Sequence, residues 1–92
     1  MEKVLEWVNK MRASIGSPPI QQLVAADKLT YDGCVIAKSI GSNTTVGIRR
    51  CHVGGKRSEI MPDYVTAFIR DVFKGKYPEL YKPKTERNFN GY

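Results

Sequence analysis

The clearest period in the chain lies near its C-terminal third. Val65, Phe68, Ile69 and Val72 recur at i, i+3, i+4 and i+7, which gathers apolar side chains on one helix face. Pro62 suits a first-turn position and Asp63 complements the positive helix N-terminus. Arg70 and Lys74 lie toward the negative end, and Gly75 stands where a left-handed glycine closes a helix. A second stripe opens the chain. Val4, Trp7, Val8, Met11 and Ile15, with Leu5 beside them, predict a helix over residues 1–15 that ends at Gly16 and Pro18-Pro19. Trp7 on this stripe reads as a core residue.

Between the two helices the period changes to two. Thr45-Val46-Gly47-Ile48 and Cys51-His52-Val53 are rich in β-branched residues, and Gly54-Gly55 supplies a tight turn. The return strand is Lys56 to Met61. A two-residue loop pairs Val53 with Lys56, Cys51 with Ser58 and Arg50 with Glu59. The apolar alternation slips once, because Val46 and Ile48 share one face while Cys51 and Val53 fall on the other. One extra residue at Arg49-Arg50 restores a single apolar face and sets Ile48 opposite Ile60, so a β-bulge is expected there.

The remaining patterns are weaker. Ser17 can cap a short helix with Pro18 in its first turn, Ile20, Leu23 and Val24 facing inward, fading by Asp27. Thr30 can cap another that runs to Ile40 and stops at Gly41, burying Ile36, Ala37 and Ile40. Gly33 would cost that helix about 1 kcal/mol relative to alanine. The competing reading makes Cys34 to Ala37 a strand after a turn at Asp32-Gly33. Beyond Lys76 the chain is polar, Leu80 folds back onto the last helix, and residues 82–92 read as a disordered tail. The expected fold is a small α+β domain over residues 1–81. It has short N-terminal helices, a two-stranded β-hairpin and a C-terminal amphipathic helix.

Composition agrees with a globular chain, at 41% hydrophobic and 26% charged residues. No apolar run is long enough to span a bilayer and no signal-peptide pattern opens the chain, so membrane insertion is not expected and a cytoplasmic location is. The net charge of +6 is uneven. Residues 33–62 hold five basic residues against one acidic, a local +4, while residues 1–32 balance at four of each. The excess centres on the hairpin, at Arg49, Arg50, His52 and Arg57, which are the candidate partner-binding residues. It favours an acidic partner, either an acidic protein surface or nucleic acid. The bland alternative is a solvated face that keeps a small protein soluble.

Reactive chemistry is sparse. Cys34 and Cys51 do not make a disulfide framework and read as free, partly buried thiols. His52 is the single histidine, so no zinc spacing is complete. Cys51 and His52 are adjacent on a strand and point to opposite faces, which rules out that pair as nucleophile and base. Gly54-Gly55-Lys56-Arg57-Ser58 lacks phosphate-loop spacing. No enzyme, no cofactor and no metal is expected.

Two resemblances bear on function. Ala37-Lys38-Ser39-Ile40-Gly41-Ser42-Asn43-Thr44-Thr45-Val46 resembles the helix-turn-helix of lac-repressor-type regulators, over about a tenth of the chain. The spacing from Gly41 to Val46 is one residue short of that pattern. The resemblance implies a DNA-binding regulator with Asn43, Thr44, Arg49 and Arg50 toward the major groove. A basic β-ribbon is the other DNA-binding alternative. More broadly, Cys34 to Gly41, a glycine-turned hairpin, and Phe73-Lys74-Gly75-Lys76-Tyr77-Pro78-Glu79-Leu80 resemble small proteins of actinobacteria and their phages. Val35 stands where those often carry proline. That resemblance implies a viral accessory protein acting in the host cytoplasm on host macromolecules. The leading expectation is therefore a non-enzymatic phage accessory protein that binds an acidic surface of a host protein.

The helix face over 65–72 is directly testable. Phe68→Ala should cost about 3–5 kcal/mol, enough to unfold a small domain. A thermal melt indistinguishable from wild type would show that the stripe is misplaced.

Overall fold

The computed structural model describes residues 2–26, 34–41, 43–55 and 57–81, with Arg57 described by its backbone. Over these residues it is an α+β fold of three helices and one three-stranded antiparallel sheet. Helix α1 spans Glu2–Ser14, α2 Val35–Ile40 and α3 Asp63–Phe73. Strands β1 (Thr45–Val46), β2 (Arg50–Val53) and β3 (Arg57–Ile60) lie in the order β1-β2-β3. The expected tail at 82–92 and the expected start of a helix at Thr30 lie outside the described residues.

Both long helices form where their stripes predict. Val4, Trp7, Val8 and Met11 of α1 are buried against Val65, Phe68 and Val72 of α3 in one apolar cluster. Ile15 and Ile69 are only half-buried at its margin. The helices end in the same way. Ser17 N–H donates to Arg12 C=O and Gly16 N–H to Ala13 C=O; Lys76 N–H donates to Asp71 C=O and Gly75 N–H to Val72 C=O. Each is a Schellman closure, with the glycine at φ +79° or +83°. Past α3, Tyr77 packs against Phe68 with ring centroids 4.9 Å apart and planes tilted by 49°, and Leu80 is buried as expected.

No helix forms over residues 17–26. Pro19 pushes Pro18 toward extended backbone, which opposes the first helical turn. The segment instead finds its hydrogen bonds in side chains of its neighbours. Asn9 donates to Ile20 C=O at 3.0 Å and accepts from Ile20 N–H at 2.8 Å. Arg12 Nε donates to Pro18 C=O at 2.7 Å. Ser39 Oγ accepts from Val24 N–H at 2.8 Å, and Ala26 N–H reaches Leu80 C=O. In this extended path Leu23 is buried and Val24 faces solvent, so only part of the expected inward set holds.

Residues 35–40 are helical, which excludes the competing strand. Cys34 takes the N-cap position, its sulfur accepting from Ala37 N–H at 3.5 Å. Ile36, Ala37 and Ile40 are buried as expected. Arg12 Nη1 donates to Ser39 C=O at 2.8 Å and Ile40 C=O at 3.2 Å, placing a cation on the C-terminal carbonyls of α2.

The sheet departs from the expected hairpin in three ways. First, there are three strands. At the expected bulge the chain reverses instead, and Gly47 N–H donates to Arg50 C=O at 2.8 Å. A Cβ at Gly47 would lie 3.2 Å from that oxygen, so glycine permits the close approach. Reversal answers the phase slip that the bulge was meant to answer, placing Val46 opposite Cys51. Second, the β2–β3 loop has three residues, Gly54 to Lys56, not two. Val53 pairs with Arg57, Cys51 with Glu59, and Arg50 with Ile60. This one-residue shift puts Met61 on the inward row in place of Ile60, and Met61 is buried. Ile48 sits in the β1–β2 turn and is not opposite Ile60. Third, Thr45-Val46 is strand and Thr44 is buried, with Gly54 N–H donating to its hydroxyl. Among the described residues no helix follows α2 before α3, so the recognition helix of the helix-turn-helix resemblance is absent there.

Arg12 joins α1, the 17–20 segment and α2 through one guanidinium. Arg12→Ala should lower stability by about 2 kcal/mol, because it removes charge-assisted bonds to three carbonyls, two of them part-buried. Arg12→Lys should recover little, since an ammonium cannot reproduce the planar fork. Urea midpoints of the three proteins check this; equal midpoints would remove Arg12 from any structural role.

Candidate functional site

Strand alternation sorts the sheet into two rows. Val46, Cys51 and Val53 face inward and are buried; Thr45, Arg50, His52, Ser58 and Ile60 face outward and are exposed. Thr45, His52 and Ser58 stand side by side across the three strands, and Arg50 stands beside Ile60. Arg50 Nη1 reaches Ser58 Oγ at 3.4 Å. Three of the four expected partner-binding residues, Arg49, Arg50 and His52, therefore lie together on the outer face and its β1–β2 turn. Arg57 does not join them by register. Opposite Val53, its ladder position belongs to the Cys51–Val53–Glu59 row, a consequence of the three-residue loop.

Two apolar residues complete this surface. Ile48, at the tip of the β1–β2 turn, is 90% exposed, and Ile60 is 64% exposed. A cleft of about 520 Å³ runs between them and α3, lined by Ile48, Arg49, Ile60 and Met61 on the sheet side. Asp63, Thr66, Ala67 and Arg70 line its helix side. A shallower depression of about 780 Å³ adjoins it over Thr45, Gly47, Ile48, Arg50 and His52. Among the described residues no carboxylate pairs with Arg49, Arg50 or Arg70, although Asp63 lines the same cleft.

Ile48, Ile60 and Arg70 were not among the sequence candidates. Arg70 had a legible signal: Asp63, Thr66, Ala67 and Arg70 recur at i, i+3, i+4 and i+7, a polar face beside the apolar stripe. Ile60 had none, because its exposure follows from a loop one residue longer than Gly54-Gly55 requires.

Sulfur chemistry is withdrawn from this surface. Both cysteines are buried and neither is in a disulfide. Burial pushes the Cys51 thiol up to about 11, with the charge of Glu59 and then Cys34 adding to the rise. At neutral pH it is a protonated core side chain, and His52 lies on the opposite face of the sheet. No group of three or more metal-ligating side chains gathers among the described residues. No helix among them is long and apolar enough to cross a membrane. Comparison with family models, with curated proteins and with solved structures finds no match for this chain.

The Cys51 shift sets a pH dependence. The folded thiol titrates near 11, against an ordinary value of 9.0. Between these values the unfolded chain has lost its proton while the folded chain keeps it, so stability falls as pH rises through that window. Cys51→Ala removes this contribution. The stability difference between wild type and Cys51→Ala should narrow from pH 9 to pH 11, read by urea unfolding at each pH. A constant difference would show that the thiol titrates normally.

Proposed function

We propose that the chain is a non-enzymatic interaction module that binds an acidic surface of a partner protein. Ile48 and Ile60 form the apolar centre of its binding face, and Arg49, Arg50 and Arg70 form the cationic rim. One observation carries the reading: two large aliphatic side chains stand exposed beside three arginines that form no ion pair among the described residues, with Asp63 the one acid lining their cleft. An apolar centre within a polar rim is the anatomy of a protein interface, with arginine enriched in it. Binding to phosphate backbones needs the cations but gives no use to exposed isoleucines. The resemblance to phage proteins makes a host protein the expected partner. A basic β-ribbon reading DNA, built on Arg50 and His52 of β2, is the rival that the experiment must separate.

Arg49→Glu with Arg50→Glu should leave thermal stability within about 0.5 kcal/mol of wild type, because exposed charges contribute little to folding. The same variant should lose the protein partner that wild type retains from nuclease-treated host lysate. Salt-dependent binding to random duplex DNA, with every partner lost on nuclease treatment, would replace this reading with the DNA-binding one.

A further inference from the structure

The strand order leaves β3 at an edge of the sheet. Its ladder shows which main-chain groups face outward. Met61 N–H donates to Arg49 C=O at 2.8 Å, so residues 57, 59 and 61 turn their donors and acceptors toward β2. Ser58 and Ile60 turn theirs away from the sheet. Both residues are exposed, and among the described residues no hydrogen bond reaches their main-chain N–H or C=O. The opposite edge differs, because α2 packs against β1. An uncovered edge of this kind is a template for another strand.

The surroundings of that edge select what is added. Ile60 forms a shared wall of two clefts. One, of about 520 Å³, carries Arg49 and Arg70 against one acid, Asp63. The other, of about 510 Å³, is lined by Trp7, Pro62 and Tyr64 together with the charged Glu6, Lys10 and Glu59. Side chains of an added strand alternate between the two sides of the sheet. Carboxylates then meet the arginine side, and uncharged side chains meet the other, where Glu6 and Glu59 oppose a carboxylate and Ile60 and Tyr64 offer exposed apolar surface. The net charge of +6 opposes a second copy of the chain at this edge and favours an acidic segment.

We propose that β3 accepts an extended segment of the partner protein as a fourth strand, bonded to the main chain of Ser58 and Ile60, in which acidic and apolar residues alternate. This rests on the reading that the partner is an acidic protein, and it specifies how that partner is held.

The probe is a fluorescein-labelled peptide of alternating Glu and Val, blocked at both ends, titrated with the full chain. Ser58→Pro removes the outward N–H and leaves the inward ladder intact, while Ser58→Ala keeps it. Wild type and Ser58→Ala should bind alike, and Ser58→Pro should bind about 10-fold more weakly. Hydrogen exchange on the wild-type complex decides the matter even if Ser58→Pro does not fold: the Ser58 and Ile60 amides should slow when peptide saturates. Absence of saturable binding, or binding without protection of those two amides, overturns strand addition. So does a peptide-free dimer that protects the same amides, since a second copy would then be the occupant. Loss of binding in Arg49→Glu, Arg50→Glu with Ser58→Pro unaffected removes the strand but keeps the acidic-partner reading. The reverse pattern keeps the strand and removes the basic turn from recognition.

Discussion

The fold depends on how residues 17–26, a stretch without regular structure, satisfy their backbone beside a packed core. A segment that is neither helix nor strand has no internal ladder, and unpaired buried N–H and C=O groups are costly. Three side chains from its neighbours supply the partners. Asn9 holds both main-chain groups of Ile20, Arg12 holds Pro18, and Ser39 holds the N–H of Val24. The same guanidinium also caps the end of α2. One charged fork thus ties the first helix, the extended segment and the second helix, and it does so with charge-assisted bonds, about twice as strong as neutral ones. Leu23 reaches the core because this path is pinned.

The sheet divides labour by face. Its inner row, Val46, Cys51 and Val53, joins α1 and α3 in the core and has no capacity left for a partner. The outer row, the β1–β2 turn and the β3 edge remain exposed. Gly54 helps to hold this arrangement. It lies at φ +62°, and a Cβ there would stand 2.7 Å from Ile15 Cγ2, so the hairpin turn packs closely against the end of α1. The basic turn is therefore carried on a sheet fixed to the core at its other end. Rigid presentation of that kind lowers the ordering cost of binding.

The cysteines show the same separation of interior from surface. Cys34 caps α2 and Cys51 fills the inner row, where burial favours the neutral thiol. Their chemistry serves packing, and the exposed outer row carries charge and aliphatic area instead.

Both long helices, their buried faces and their terminal glycines were legible from periodicity and capping alone, because each rests on contacts within four or five residues. The strand content around Val46 and Val53 was legible for a similar reason: β-branched residues beside paired glycines favour strand and turn locally. The burial of Cys51 and the outward placement of Arg50 and His52 followed from alternation. What alternation could not supply was register. A loop of two residues and a loop of three both satisfy Gly54-Gly55, yet they send opposite rows of β3 to solvent. The choice went to the one that buries Met61 at the entry to α3. The same step turned Ile60 outward and moved Arg57 out of the Arg50–His52 row. Likewise a bulge and a reversal both repair the phase at Arg49-Arg50, and only packing of Val46 onto Cys51 distinguishes them. The path of residues 17–26 was beyond any local signal, because its hydrogen-bond partners are Asn9, Arg12, Ser39 and Leu80, distant in sequence. Local chemistry determined the elements. Long-range pairing decided which of their faces is buried and which is left exposed.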